Sequence, residues 1–181
     1  MLLDTPYCNF GWKAPNFTLK DYDGKSFTMS DHLGGKGLLI CFISNHCPYV
    51  QEIGSRLAAD TKELLARDIN VLAIMSNDYR IYEADSPSNM KQFAQHYGFT
   101  FPYLVDEGQH VAKAFDAVCT PDFFGLTQDG HLQYRGRLDD AGMNYRGKRT
   151  PELLNAMVEI SETGLGPAKQ MPSIGCSIKW T

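Results

Sequence analysis

An α/β domain, with a mixed central sheet flanked by helices and a β-hairpin at its N-terminal end, is the fold class this 181-residue sequence predicts. Three observations point to it. The apolar run Leu38-Leu39-Ile40-Cys41-Phe42-Ile43, bounded by Gly37 behind and polar residues ahead, has the length and content of a buried strand. From Pro48 onward, apolar residues recur at helical spacing at Val50, Ile53, Leu57 and Leu64. A second buried run, Asn70-Val71-Leu72-Ala73-Ile74-Met75, follows. Strand, amphipathic helix and strand imply a right-handed unit whose two strands are parallel.

The elements follow in order. The first dozen residues, rich in Pro, Asn and Gly, read as an extended lead-in that contains Cys8. Asn16-Phe17-Thr18-Leu19 and Lys25-Ser26-Phe27-Thr28 alternate with period two around Asp23-Gly24, which predicts a hairpin. Ser30 to Leu33 reads as a capped turn before the loop Gly34-Gly35-Lys36-Gly37. That loop lacks phosphate-binding spacing and precedes a strand, so it is read as a turn. After the second buried run comes an irregular loop, residues 76–85. A helix opens at Ser86-Pro87 and stops at Gly98. A short strand at Phe101 to Val105 and a short helix at Gln109 to Ala114 come next. Val118 to Leu126 and His131 to Gly136 form an antiparallel hairpin around Asp129-Gly130, and Pro121 suits the head of its strand. Thr150-Pro151-Glu152 starts a last helix that runs to about Ile160. Residues 164–181 read as an irregular tail, outside a core at about 10–163. With no internal repeat, a single domain over 1–181 is expected.

Composition narrows the function. With 43% hydrophobic residues, the chain can bury a substantial core. A net charge of −4 and the absence of any Lys/Arg-rich run argue against nucleic acid as a partner. No stretch approaches the roughly 18 apolar residues of a membrane span. The start Met1-Leu2-Leu3-Asp4-Thr5-Pro6 lacks the pattern of a secretory leader, so a cytoplasmic location is expected. Five cysteines at positions 8, 41, 47, 119 and 176 do not make a disulfide scaffold. In a reducing compartment, a disulfide among them would be catalytic rather than structural. No zinc-finger spacing or His-Glu-x-x-His occurs, so no metal and no cofactor are expected.

Chemistry concentrates at Asn45-His46-Cys47-Pro48-Tyr49-Val50. Proline is favoured at the first position of a helix, because its missing N–H would have no partner there. Cys47 therefore sits where the unpaired N–H groups and the positive end of a helix converge, a setting that favours an accessible, reactive thiolate. The alternative is a cysteine buried as a small apolar side chain. His46 reads either as a proton donor or as a loop histidine making local hydrogen bonds. Ser44 reads as filling a strand end. Cys41, inside the strand, is a packing residue. Asp139-Asp140 before Gly142 reads as a solvated turn, and Tyr49, Tyr79 and Tyr82 are candidates to line a substrate groove.

This order of elements resembles the thioredoxin fold, in the peroxiredoxin-like and disulfide-reductase branches that carry an N-terminal hairpin. The residues that match are Phe42 to Val50 around Cys47, Thr120-Pro121, Ala14 to Leu19 and Arg135-Gly136. More narrowly, Asn45 to Val50, Cys119 to Phe124 and Gly175 to Trp180 are similar to thioredoxin-like proteins of the alkyl hydroperoxide reductase/thiol-specific antioxidant family. The resemblance implies Cys47 as the attacking cysteine and a cis Pro121 lying against it. A lone nucleophile that turns over needs a thiol to release it: Cys119, directly before Thr120-Pro121, is the first candidate, Cys176 on the tail the second and Cys8 the third. His46, Pro48, Thr120 and Pro121 would line the substrate site. A disulfide-bearing protein or a peroxide would be the substrate, and an external thiol the reductant.

The chain also departs from the family pattern. Val50 stands where a dithiol thioredoxin has its second cysteine, and Ser44 stands where close relatives often carry one. The peroxiredoxin proline would fall at Ile40 and its arginine near Pro121, leaving Arg135 or Arg137 as substitutes. The expectation is a thiol-dependent oxidoreductase with antioxidant activity and Cys47 as a single nucleophile. The contrasting expectation is a binding module that kept the fold and lost its redox pair.

Overall fold

The strand that precedes Cys47, β4 (Leu38–Phe42), is buried along its whole length. Its side chains alternate between two cores. Leu39, Cys41 and Ile43 face one, and Leu38, Ile40 and Phe42 face the other. A strand covered on both faces explains the unbroken apolar run. The computed structural model describes residues 1–6 and 9–181, so Cys8 lies outside the described residues.

The expected βαβ unit is present. Helix α1 (Pro48–Ala66) follows β4, and β5 (Asn70–Met75) returns parallel to it, with Leu39 opposite Val71 and Cys41 opposite Ala73. Pro48 is in the first turn, and Val50, Ile53, Leu57 and Leu64 are buried. Helix α2 (Pro87–Tyr97) ends at Gly98, whose φ of 72° is the left-handed conformation a helix stop favours. Gly54 lets α2 approach α1: a Cβ there would overlap the ring of Tyr97, whose hydroxyl donates to the Gln51 carbonyl at 3.0 Å.

The N-terminal hairpin is β2 (Thr18–Asp21) with β3 (Ser26–Thr28). Next along the sheet is β6 (Tyr103–Val105), and α3 (His110–Ala114) comes after it in the chain. The later hairpin is β8 (Asp122–Leu126) with β9 (Leu132–Gly136), and α4 (Glu152–Thr163) closes the fold. Seven strands form a mixed sheet in the order β3-β2-β6-β5-β4-β8-β9. Side chains of α1, α2 and α4 cover the face that carries Cys41, and those of α3 with Phe115 cover the other. No helix among the described residues is long and apolar enough to cross a membrane.

Two expectations about the chain ends need correcting. Residues 164–181 are not wholly irregular, because β10 (Ile174–Ser177) pairs with β7 (Cys119–Thr120) and with β1 (Leu2–Asp4) in a second, three-stranded antiparallel sheet. The lead-in likewise holds a strand rather than extended coil alone. The last residues are clamped as well. Lys179 N–H donates to Asn77 Oδ1 at 2.8 Å, and the Gln109 side chain donates to the Lys179 carbonyl at 2.8 Å.

Asp139 corrects a third expectation. It is buried, because Arg56 donates to both of its carboxylate oxygens at 3.0 and 2.9 Å. A carboxylate can leave water when a guanidinium supplies matched donors.

Candidate active site

Cys47 ends the loop after β4 and caps α1, with φ −75° and ψ 119°. Its thiol is 0% exposed and donates to the Thr120 carbonyl at 3.1 Å. The accessible cysteine expected from sequence is therefore a buried one. A helix start says where the N–H groups point, and chain from elsewhere covers the sulfur. That cover is the Thr120–Pro121 segment, whose peptide bond is cis as the resemblance implies, together with β10. The Ser44 hydroxyl is also buried and lies 3.4 Å from that of Thr120.

The structure brings Cys176 to Cys47. In β10, Cys176 is opposite Thr120, and its side chain packs against the core cluster that holds Cys47, near enough for the two thiols to act on one another. Burial, and next the hydrogen bond to Cys47, push the Cys176 thiol above the ordinary range, while the nearby Lys179 ammonium pulls it down. Gly175 makes this fit possible, since a Cβ there would overlap the Thr120 carbonyl oxygen. Ser173 adds a 2.7 Å hydrogen bond to the Pro121 carbonyl.

Cys119, one residue before Thr120, is fully buried and directs its thiol toward the Pro121 carbonyl at 3.7 Å. Burial pushes its thiol up, and the Asp122 charge adds to the shift. Cys41 is a packing residue, its thiol raised by burial alone.

His46 faces the opposite side of the junction. Its Nδ1 donates to Asp85 Oδ2 at 2.6 Å, and its ring stacks on Tyr82 at 5.3 Å. Asp85 is 0% exposed, and it also accepts the Asn45 N–H at 2.6 Å and the Asn77 amide at 2.8 Å. Asn45 is held in turn by the buried Tyr103 hydroxyl at 2.9 Å. With Nδ1 committed, Nε2 is the ring atom left for other partners. The sequence reading missed Asp85, which closes a single 3-10 turn (Glu83–Asp85) and has no spacing signal linking it to His46.

Two clefts flank the junction. One of about 310 Å³ lies among Tyr49, Ile53, Pro121, Leu138, Met143 and Ile174. The other, of about 700 Å³, is open and mixed in character, bordered by His46, Gln51, Gln92 and His96 together with Phe93 and Tyr97. Tyr49 thus lines a cleft and Tyr82 supports His46, whereas Tyr79 donates to Glu107 at 2.8 Å. The two arginines considered as substitutes are both engaged. Arg135 bonds Asp122 at 2.8 and 3.2 Å, and Arg137 bonds Glu152 at 2.8 and 2.9 Å. Among the described residues, no group of three or more His, Cys, Asp or Glu could hold a metal ion.

A mixed sheet with helices on its faces, a cysteine at the start of the helix after the central strand, and a cis Thr-Pro against that sulfur define a thioredoxin-fold protein. The thioredoxin domain of a thiol-disulfide oxidoreductase from Bacteroides vulgatus shares this fold. It is 14% identical with a TM-score of 0.66, and the match covers 86% of this chain and 99% of that one. The AhpC/TSA family profile matches residues 10–135, and the chain belongs to that family, which makes it an oxidoreductase. It is also similar to the thiol-disulfide oxidoreductase ResA of Bacillus thuringiensis (strain Al Hakam), with 27% identity over 136 residues, 71% of this chain and 70% of that protein. A crystal structure of a conserved protein from Geobacillus kaustophilus is 40% identical with a TM-score of 0.93, covering 100% of this chain and 97% of that one.

Proposed function

We propose that this chain is a thiol–disulfide oxidoreductase that carries its redox equivalents on Cys47 and Cys176. The register that sets Cys176 opposite Thr120, whose carbonyl accepts the Cys47 thiol, supports the reading most directly. The substrate is a disulfide-bearing protein. Reduction of its disulfide leaves Cys47 and Cys176 joined, and an external thiol pool returns them to the dithiol form. Pro48, Thr120 and Pro121 wall the sulfur pair, and the cleft beside Pro121 receives the flanking side chains of the substrate. His46, fixed by Asp85, borders the larger open cleft on the other side. Cys119 is the weaker resolver, since its buried thiol is occupied with the Pro121 carbonyl.

Thiol–disulfide exchange is favoured over peroxide reduction by the engagement of Arg135 and Arg137 with carboxylates. Neither supplies the cation that would polarise an O–O bond. We place the chain in the cytoplasm, where a reducing thiol pool would regenerate it, and fractionation of cells checks this. The main test is disulfide mapping by mass spectrometry after one equivalent of a mild oxidant. A Cys47–Cys176 link is expected. A Cys47–Cys119 link, or persistent sulfenic acid on Cys47 with Cys176 free, overturns the two-cysteine reading.

A further inference from the structure

The two sulfurs are not equivalent in access. Cys47 is 0% exposed and packs in the core with Ile43 and Val50, whereas Cys176 is partly exposed at the edge of that core. Exchange at sulfur requires the incoming thiolate, the attacked sulfur and the leaving sulfur to lie roughly in line. For a bond between Cys47 and Cys176, the partly exposed Cys176 sulfur is the one open to an incoming group from solvent. Approach to Cys47 would come through the packed interior.

Resting on the two-cysteine reading above, we propose that Cys176 is the sulfur that meets the outside disulfide or thiol. Cys47 acts only within the chain, making and breaking the internal bond. Sequence alone points the other way, because the helix start marks Cys47 as the attacking residue.

The Cys176 thiol gives up its proton and attacks one sulfur of the substrate disulfide. The substrate's S–S bond breaks, its other sulfur leaves as a thiolate and takes up a proton, and a mixed disulfide forms on Cys176. The Cys47 thiolate then attacks Cys176 Sγ. That breaks the mixed disulfide, forms the Cys47–Cys176 bond and releases the second substrate thiolate, which is protonated in turn. The substrate gains two electrons and two protons, and the protein dithiol loses them. Two equivalents of a small thiol reverse the sequence. The first attacks Cys176 Sγ, with Cys47 leaving toward the N–H groups of the α1 start. The second attacks the sulfur of the small thiol bound to Cys176, releasing Cys176 and the oxidised small thiol. Lys179, whose charge acts on Cys176, favours thiolate there when an incoming group displaces the hydrogen bond.

Timed labelling of the fully reduced native protein with N-ethylmaleimide, followed by peptide mass analysis, tests the assignment without any substitution. Cys176 is expected to label first, with Cys47 lagging by roughly tenfold or more and grouping with Cys41 and Cys119. With glutathione disulfide as the probe, Cys47→Ala protein should hold a stable glutathione adduct on Cys176. Cys176→Ala protein should accept glutathione on Cys47 at least roughly tenfold more slowly. Faster labelling of Cys47 than of Cys176 in the native protein overturns the proposal, as does faster adduct formation on Cys47 in the Cys176→Ala protein. Absence of a Cys47–Cys176 disulfide after oxidation overturns the underlying reading instead, whatever the labelling order.

Discussion

The seven-stranded sheet buries every residue of β4 and β8, whereas Leu2 and Ile174 of the three-stranded sheet remain 56% and 46% exposed. The larger sheet places side chains in two apolar cores, and the smaller one consists of strands of two to four residues laid over the site. Stability in a domain follows buried apolar contact, so the thin sheet opens at lower free energy than the thick one. One sulfur of the candidate pair belongs to each region. Cys47 is held at the start of α1, within the core that backs the large sheet, and Cys176 is carried by the short middle strand of the thin sheet. A fixed sulfur and a removable one, meeting in the closed form, suit a bond that must be made and broken repeatedly.

Substitutions in the two sheets should separate this contrast by size of effect. Phe123→Ala in β8 empties space among fully buried neighbours and should cost about 3–5 kcal/mol, read from urea denaturation. A loss under about 1 kcal/mol would mean the large sheet is not the frame. Next comes Gly175→Ala, which forces a Cβ against the Thr120 carbonyl. An overpacking cost of about 1–3 kcal/mol is expected. Hydrogen exchange should show it in β1 and β10, with the amides of β4 and β5 still protected and Cys47 more readily alkylated. Equal loss of protection in both sheets would show that they unfold together and would break the comparison.

A smaller effect concerns pH. Burial and the contact with Cys47 hold the Cys176 thiol above its ordinary range, so its reactive thiolate emerges at higher pH than for a free cysteine. Removing one raising cause, by Cys47→Ala, should move the alkylation midpoint of Cys176 downward. An unchanged midpoint would indicate that the two thiols do not interact. The smallest effect is Leu2→Ala at the outer edge of the thin sheet, within about 0.5 kcal/mol by thermal unfolding.

What the sequence made legible follows the range of the interactions. The βαβ unit, both hairpins and the Gly98 stop rest on local periodicity and turn chemistry, and all of them appear in the structure. The tail strand was illegible because Ile174-Gly175-Cys176-Ser177 has little strand propensity, and its partners lie more than fifty residues away, at Cys119-Thr120 and Leu2 to Asp4. The burial of Cys47 was lost for the same reason, since β10 is part of what covers it. Asp85 and Asp139 looked like loop and turn residues. Each is buried by a partner far along the chain, His46 at a separation of 39 residues and Arg56 at 83. Long-range polar pairing leaves no periodic trace.

Asn77 joins two parts of the site. Its side-chain Oδ1 accepts the Lys179 N–H just beyond β10, and its Nδ2 donates to Asp85, which orients His46. Free-energy linkage between two such equilibria is reciprocal. Whatever docking of the tail adds to the His46–Asp85 pairing, that pairing adds equally to docking of the tail. One amide side chain thus serves both the mount of His46 and the anchorage of the chain just past Cys176.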